Sequence, residues 1–400
     1  MPDVDAGQKA SCHLGERHRP SGLNLCFAPV PPTFSEYIQS TRDMIARARC
    51  EPADAGLAQL IEGNSPFELY PEANPGKEHP YRRGILLVHG LSDSPYFMRH
   101  LASVFCKSGF RVMAVLLPGH GTRPGDLLDV SWQEWLKTVE FGIGQLAREV
   151  DEVYLGGYSA GGALSVYQSG RDARVRGLFL FAPALKISSR AAFAVFHKSY
   201  SWLMPAAKWL AIKPDQDRYK YESFPKNAAA QMYALTRQVQ RQIAKTRLRV
   251  PVFAVASQDD ATVSTPAIVQ FMRDLQHDSG KLVYLYSKPE KLPAGLPDGW
   301  LESLDARRPE QGIVSSAHTA IVLPPEDGYY GEHGIYRNCL HYYPDAISRY
   351  EACRHPGAAV KQGEITDHLL QSGLMRRLMF NPGFPAMEAA IRRFIAALPA

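Results

Sequence analysis

Residues Tyr154 to Val166 read YLGGYSAGGALSV. Within them, Gly157-Tyr158-Ser159-Ala160-Gly161 has the form G-x-S-x-G, with an apolar strand-like run before it and the helix-compatible ALSVYQS after it. A serine at such a strand-to-helix turn is held in a strained backbone conformation. Its neighbours have to be small to clear the flanking strand and helix. The competing reading is a glycine-rich turn carrying a solvated serine. Choosing between them depends on the rest of the chain, because a serine hydroxyl needs a histidine to take its proton and a carboxylate to orient that histidine.

Where a serine stands on such a turn, the partners follow in the order acid, then histidine. Downstream, VPVFAVASQDDATV (250–263) places Asp259 and Asp260 just past a strand, at the carboxyl edge of a parallel sheet where functional groups collect. A turn built as small residue, two variable residues, acid, two residues and apolar anchor puts Ser257, Asp260 and Val263 in those places. Asp259 is then a turn or helix-capping carboxylate. Of thirteen histidines, His277, His318, His333, His341, His355 and His368 follow the acid. His318 is favoured because GIVSSAHTAI puts it on a small-residue loop after the last expected strand. The oxygen of a tetrahedral intermediate also needs two N–H donors, and losing one costs about a hundredfold or more in rate. Ala160 supplies one as the residue after the serine. LLVHGLSDSP (86–95) supplies the other through the Leu91 N–H.

Working outward, short apolar runs alternate with helical patterns. GILLVHG, FRVMAVLLPGHG, VYLGGYS, VRGLFLFAPAL, VPVFAVAS and KLVYLYS are six expected strands, which gives an α/β class with a mostly parallel sheet flanked by helices. The reading divides the chain into a leader with a helical attachment (1–80), a first core part (81–185), a helical cap without strands (186–249), a second core part (250–325) and a C-terminal extension (326–400). In the cap, Phe193, Phe196, Trp202 and Trp209 are candidates, with Tyr158, for an apolar acyl pocket. Core packing is the plainer account of the same aromatics.

The 400 residues carry 45 Lys+Arg against 40 Asp+Glu, and the basic residues are scattered, which excludes a nucleic-acid stripe. No run of about 18 apolar residues and no basic-then-apolar start is present, so a cytoplasmic protein without a membrane span is expected. The six cysteines lack CxxC spacing and are expected to be mostly reduced thiols, with no metal and no cofactor. Gly119-His120-Gly121 lacks a following Lys-Ser/Thr and the GxGxxG spacing, so it is read as a structural loop and His120 as a hydrogen-bonded loop residue.

From about Gly84 to Ala320 the chain resembles the α/β-hydrolase superfamily, in particular its bacterial carboxylesterase and monoacylglycerol-lipase-like branch. LLVHGLSDSP, LLPGHGTRPGD, GYSAGG, ASQDDATV and SSAHTA stand in that family's order. The resemblance implies Ser159, Asp260 and His318 as a triad and a helical cap shaping the acyl pocket. It implies hydrolysis of a small ester, with an apolar acyl chain, through an acyl-enzyme on Ser159. The alternatives are an acyltransferase with the same triad and a non-catalytic binding protein of the same fold. The long leader and the roughly eighty residues after His318 depart from the family pattern.

Overall fold

The structure, a computed structural model, describes residues 14–23, 33–49, 56–72, 79–187, 205–246 and 248–399. Its strands are β1 (Phe67–Leu69), β2 (Tyr81–Val88), β3 (Phe110–Val115), β4 (Val150–Tyr158), β5 (Val175–Phe181), β6 (Trp209–Ala211), β7 (Phe224–Pro225), β8 (Val252–Ser257), β9 (Gly280–Tyr286), β10 (Leu301–Asp305), β11 (Lys361–Gly363) and β12 (Met375–Arg377). The helices are α1 (Phe34–Ala48), α2 (Leu57–Asn64), α3 (Arg99–Lys107), α4 (Trp132–Leu146), α5 (Ala160–Ser169), α6 (Lys226–Lys245), α7 (Thr265–Arg273), α8 (Ile347–Arg354), α9 (Asp367–Gln371) and α10 (Phe384–Ala396).

The six apolar runs pair into one sheet of order β1-β3-β2-β4-β5-β8-β9-β10, parallel throughout except for β1. Their near-continuous burial follows from helices covering both faces. Two edge strands lie outside the six expected from sequence. β10, LESLD, has two apolar residues separated by two polar ones and no buried residue, so it lacks the apolar run that marks the interior strands. β1 is only three residues long and is fastened by the fully buried Arg111. That guanidinium pairs with Glu68 and with Glu149 (2.6 Å) and lies 3.8 Å from the Tyr70 ring centroid.

The stretch expected to be a strand-free cap contains the antiparallel pair β6–β7 ahead of its long helix α6. Two- and three-residue strands carry too little periodicity to stand out in sequence. Phe193, Phe196 and Trp202 lie outside the described residues. Before the core, α1 lays Phe34 and Tyr37 into the main hydrophobic cluster, and the Tyr37 hydroxyl donates to the Leu116 carbonyl (2.9 Å). After it, α10 sets Phe394 against Phe179 and Phe253, with ring centroids 5.7 and 5.6 Å away.

In the extension, Cys339 and Cys353 form a disulfide across 14 residues, which corrects the expectation of reduced thiols for this pair. The two are buried in a small cluster of their own with Tyr342 and Tyr350, separate from the main core. An apolar cluster of that size gains little from burial alone, and a covalent tie offsets the shortfall. Cys106 is a free thiol. Among the described residues no helix is long and apolar enough to cross a membrane.

Candidate active site

β4 ends at Tyr158 and α5 begins at Ala160, so Ser159 is the single residue of the turn, with φ 53° and ψ −112°. That left-handed conformation is costly for a non-glycine residue. It persists because the Ser159 N–H donates to Phe181 O (2.9 Å) while its carbonyl accepts from Ala163 and Ala184. The small flanking residues are a steric requirement. A Cβ on Gly157 would stand 2.3 Å from Gly161 O, and one on Gly161 would stand 2.0 Å from Val88 O.

Ser159 Oγ lies 2.9 Å from His318 Nε2, and His318 Nδ1 lies 2.6 Å from Asp260 Oδ2. The other Asp260 oxygen accepts the Thr262 and Val263 N–H groups at 2.8 and 2.9 Å. Burial pushes the Asp260 carboxyl up, but His318 and the two backbone N–H donors outweigh it and hold the group below its ordinary value. Asp259 points elsewhere and accepts the Ser287 hydroxyl at 2.7 Å. Its pKa is raised, chiefly by burial.

Leu91 follows Gly90 on the loop after β2, and the Ala160 N–H opens α5. Neither N–H is taken up by an acceptor among the described residues. Two buried histidines brace this loop. His120 Nε2 accepts the Ser92 N–H (3.0 Å), holding Ser92 at φ 65°, while its Nδ1 faces the Leu117 and Pro118 carbonyls. His89 Nε2 accepts the Leu117 N–H (3.0 Å) and its Nδ1 donates to Gly90 O. Accepting an N–H requires an unprotonated ring nitrogen, so both rings are neutral as they stand.

Burial lowers the His120 pKa to about 4, and burial and His120 push His89 well below its ordinary value. The unfolded chain therefore binds protons that the folded one refuses. Stability is full above the unfolded pKa of 6.5 and is lost as pH falls from there toward about 4. For His120 this amounts to about 3 kcal/mol across the window. Denaturant unfolding between pH 7 and pH 5 is expected to show a shallower loss in His120→Gln than in the parent chain. Equal slopes would mean that His120 is not held neutral.

Residues 79–288 match the hydrolase family described as serine aminopeptidase, S33. The chain belongs to the serine aminopeptidase S33 family. Among its relatives is a thermostable monoacylglycerol lipase of Bacillus sp. (strain H-257), 28% identical over 204 residues, which are 51% of this chain and 77% of the relative. A carboxylesterase of Bacillus subtilis (strain 168) is 23% identical over 206 residues, 50% of this chain and 81% of that one. A solved structure of a metagenome-derived lipolytic enzyme aligns at TM-score 0.47 and 23% identity, covering 56% of this chain and 89% of its own.

Several residues around the site of this S33 hydrolase were not read from its sequence. Lys220 reaches from the region between β7 and β6 to pair with Asp93 and to donate to Ser92 Oγ (3.1 Å), and the Tyr221 N–H donates to Ser92 O (2.8 Å). Isolated in DRYKYES, they carry no motif. Tyr158, expected in the substrate pocket, is buried instead behind the histidine. Its hydroxyl donates to His318 O (2.9 Å) and its ring stacks 5.3 Å from the imidazole. Trp209, expected to face acyl chains, is buried edge-on against His18 of the N-terminal segment, 4.9 Å between ring centroids. The core-packing account suits both residues better.

Proposed function

We propose that this chain hydrolyses carboxylic esters through an acyl-enzyme on Ser159. The observation that carries the proposal is the unbroken hydrogen-bond chain from Ser159 through His318 to the buried Asp260, at a serine held in a strained turn. In this reading His318 Nε2 takes the hydroxyl proton as Ser159 Oγ bonds to the carbonyl carbon, and Asp260 orients the ring and balances its charge. The N–H groups of Leu91 and Ala160, without an acceptor among the described residues, support an oxyanion site. His318 then passes the proton to the leaving alkoxide, and a water deprotonated by the same nitrogen releases the acid. The two Bacillus relatives, a lipase and a carboxylesterase, favour an ester over the peptide substrate that the family description suggests. Residues 186–249 are proposed as the cap over the acyl side, and 326–400 as an extension packed on the core. The Cys339–Cys353 disulfide supports an oxidising compartment in place of the cytoplasm first expected.

A fluorophosphonate is expected to label Ser159, located by peptide mass spectrometry. p-Nitrophenyl esters of graded chain length are expected to turn over faster than aminoacyl p-nitroanilides. Absence of label would leave only a binding protein of this fold. Faster anilide cleavage would make the chain a peptidase, and a dominant transfer product with added alcohol would make it an acyltransferase.

A further inference from the structure

All four polar groups of His318 are engaged. Its ring nitrogens face Ser159 and Asp260, and its carbonyl accepts from Tyr158. Its backbone N–H donates to Glu364 Oε2 at 3.1 Å. Glu364 belongs to the extension, is 1% exposed, and leaves β11 at its end. The same oxygen also accepts the N–H of Ala261, the residue after Asp260, at 3.5 Å. The other oxygen accepts the Ile365 N–H and pairs with Arg377 at 2.8 Å. Arg377 in turn donates to Thr262 Oγ1 at 3.2 Å, on the turn that carries Asp260.

The acid and the histidine stand on separate loops, one after β8 and the other beyond β10. Apart from the Asp260–His318 bond itself, one buried carboxylate gathers an N–H from each. We infer that Glu364, with Arg377 as its cation, is a positioning residue that sets the acid loop and the histidine loop relative to each other. The extension thus forms part of the catalytic apparatus.

The chemistry suits the task. A buried carboxylate is tolerable only when paired and hydrogen-bonded, and this one has both. The ribbon that carries it is seated on the histidine loop along its length. Val314 donates to Gln362 O, Gln362 N–H to Gly312 O, Glu364 N–H to Ser315 Oγ (3.0 Å) and Thr319 Oγ1 to Leu378 O (2.8 Å). A Cβ on Gly363 would stand 2.3 Å from Ser315 Oγ, so the ribbon sits at backbone contact distance. None of these groups faces Ser159, which is why Glu364 acts through His318 and not on substrate.

The inference rests on the esterase reading, and full-length variants test it. Glu364→Ala is expected to lower kcat about a hundredfold with KM nearly unchanged, the usual cost of a displacement near 1 Å. Glu364→Gln keeps an oxygen for both N–H donors and is expected to recover most of that loss. Phosphonylation of Ser159 by a fluorophosphonate should slow in parallel. Wild-type kcat in a folded Glu364→Ala variant would overturn the proposal. So would a loss in the Ala and Gln variants that tracks only their folded fraction at the assay temperature. If Glu364→Ala does not fold, Arg377→Met, which leaves the carboxylate without its cation, should reduce kcat about tenfold while folded, and wild-type kcat there would overturn the role. The downfield proton resonance of His318 Nδ1–H should persist in the wild type and broaden in Glu364→Ala. It reads the geometry without substrate, so an inactive wild type would end the esterase reading and leave this measurement standing.

Discussion

Ser159→Ala is expected to lower ester turnover by about a millionfold while leaving the fold intact, the scale seen when a triad nucleophile is deleted. Among the described residues the side chain has one hydrogen-bond partner, His318 Nε2, and the backbone bonds that hold the turn do not pass through it. Alanine tolerates φ 53° about as poorly as serine does, so the variant carries the same strain and should melt within a degree or two of the parent. A pure Ser159→Ala preparation retaining more than about a tenth of the parent rate would require another nucleophile.

Asp260→Asn is expected to cost about ten-thousandfold in kcat, because an amide facing Nδ1 favours the tautomer in which Nε2 carries the proton and cannot accept one from serine. Asp259→Asn should change kcat little, since that carboxylate accepts from Ser287 and has no contact with the imidazole. Single-substrate kinetics on the two variants side by side decide the matter. A large loss in Asp259→Asn with a mild one in Asp260→Asn would move the acid by one residue. Acid conditions should spare the Asp260 contact longer than an ordinary carboxylate. Its folded pKa is depressed, so its contribution to stability is present above the unfolded value and is lost only as pH falls through the lower folded one.

The structure brings the sequence candidates Ser159, Asp260 and His318 into one hydrogen-bonded chain, and each had left a mark in a short window. Glycines crowd the turn, an acid follows a buried strand, and a histidine sits among small residues. The six interior strands were legible for the same reason, as unbroken apolar runs. What escaped was whatever depends on distant partners. β10 is mostly polar and has no buried residue, and β1 depends on its pairing with β3 and on Arg111, forty-odd residues away. Glu364 in KQGEITDH is one acid among forty, and nothing local distinguishes it until β11 is laid against Ser315. Tyr158, a pocket candidate in the sequence, packs against the imidazole instead, because the motif fixes its position in the chain and not the direction of its ring. The Cys339–Cys353 pairing likewise depends on how α8 folds back, which the spacing of two cysteines does not encode.

The packing of α10 has a consequence for how the chain is made. Phe394 covers Phe179 and Phe253, yet it leaves the ribosome about 140 residues after β8. At ordinary elongation rates of about 5–20 residues per second, that face of the nascent sheet waits roughly seven to thirty seconds for its cover. During that interval the apolar rings of β5 and β8 are available to chaperones or to neighbouring nascent chains. Synonymous codons that slow translation between Ser257 and Phe384 should therefore lower the soluble yield of an unchanged polypeptide, and co-expressed trigger-type holdases should restore it.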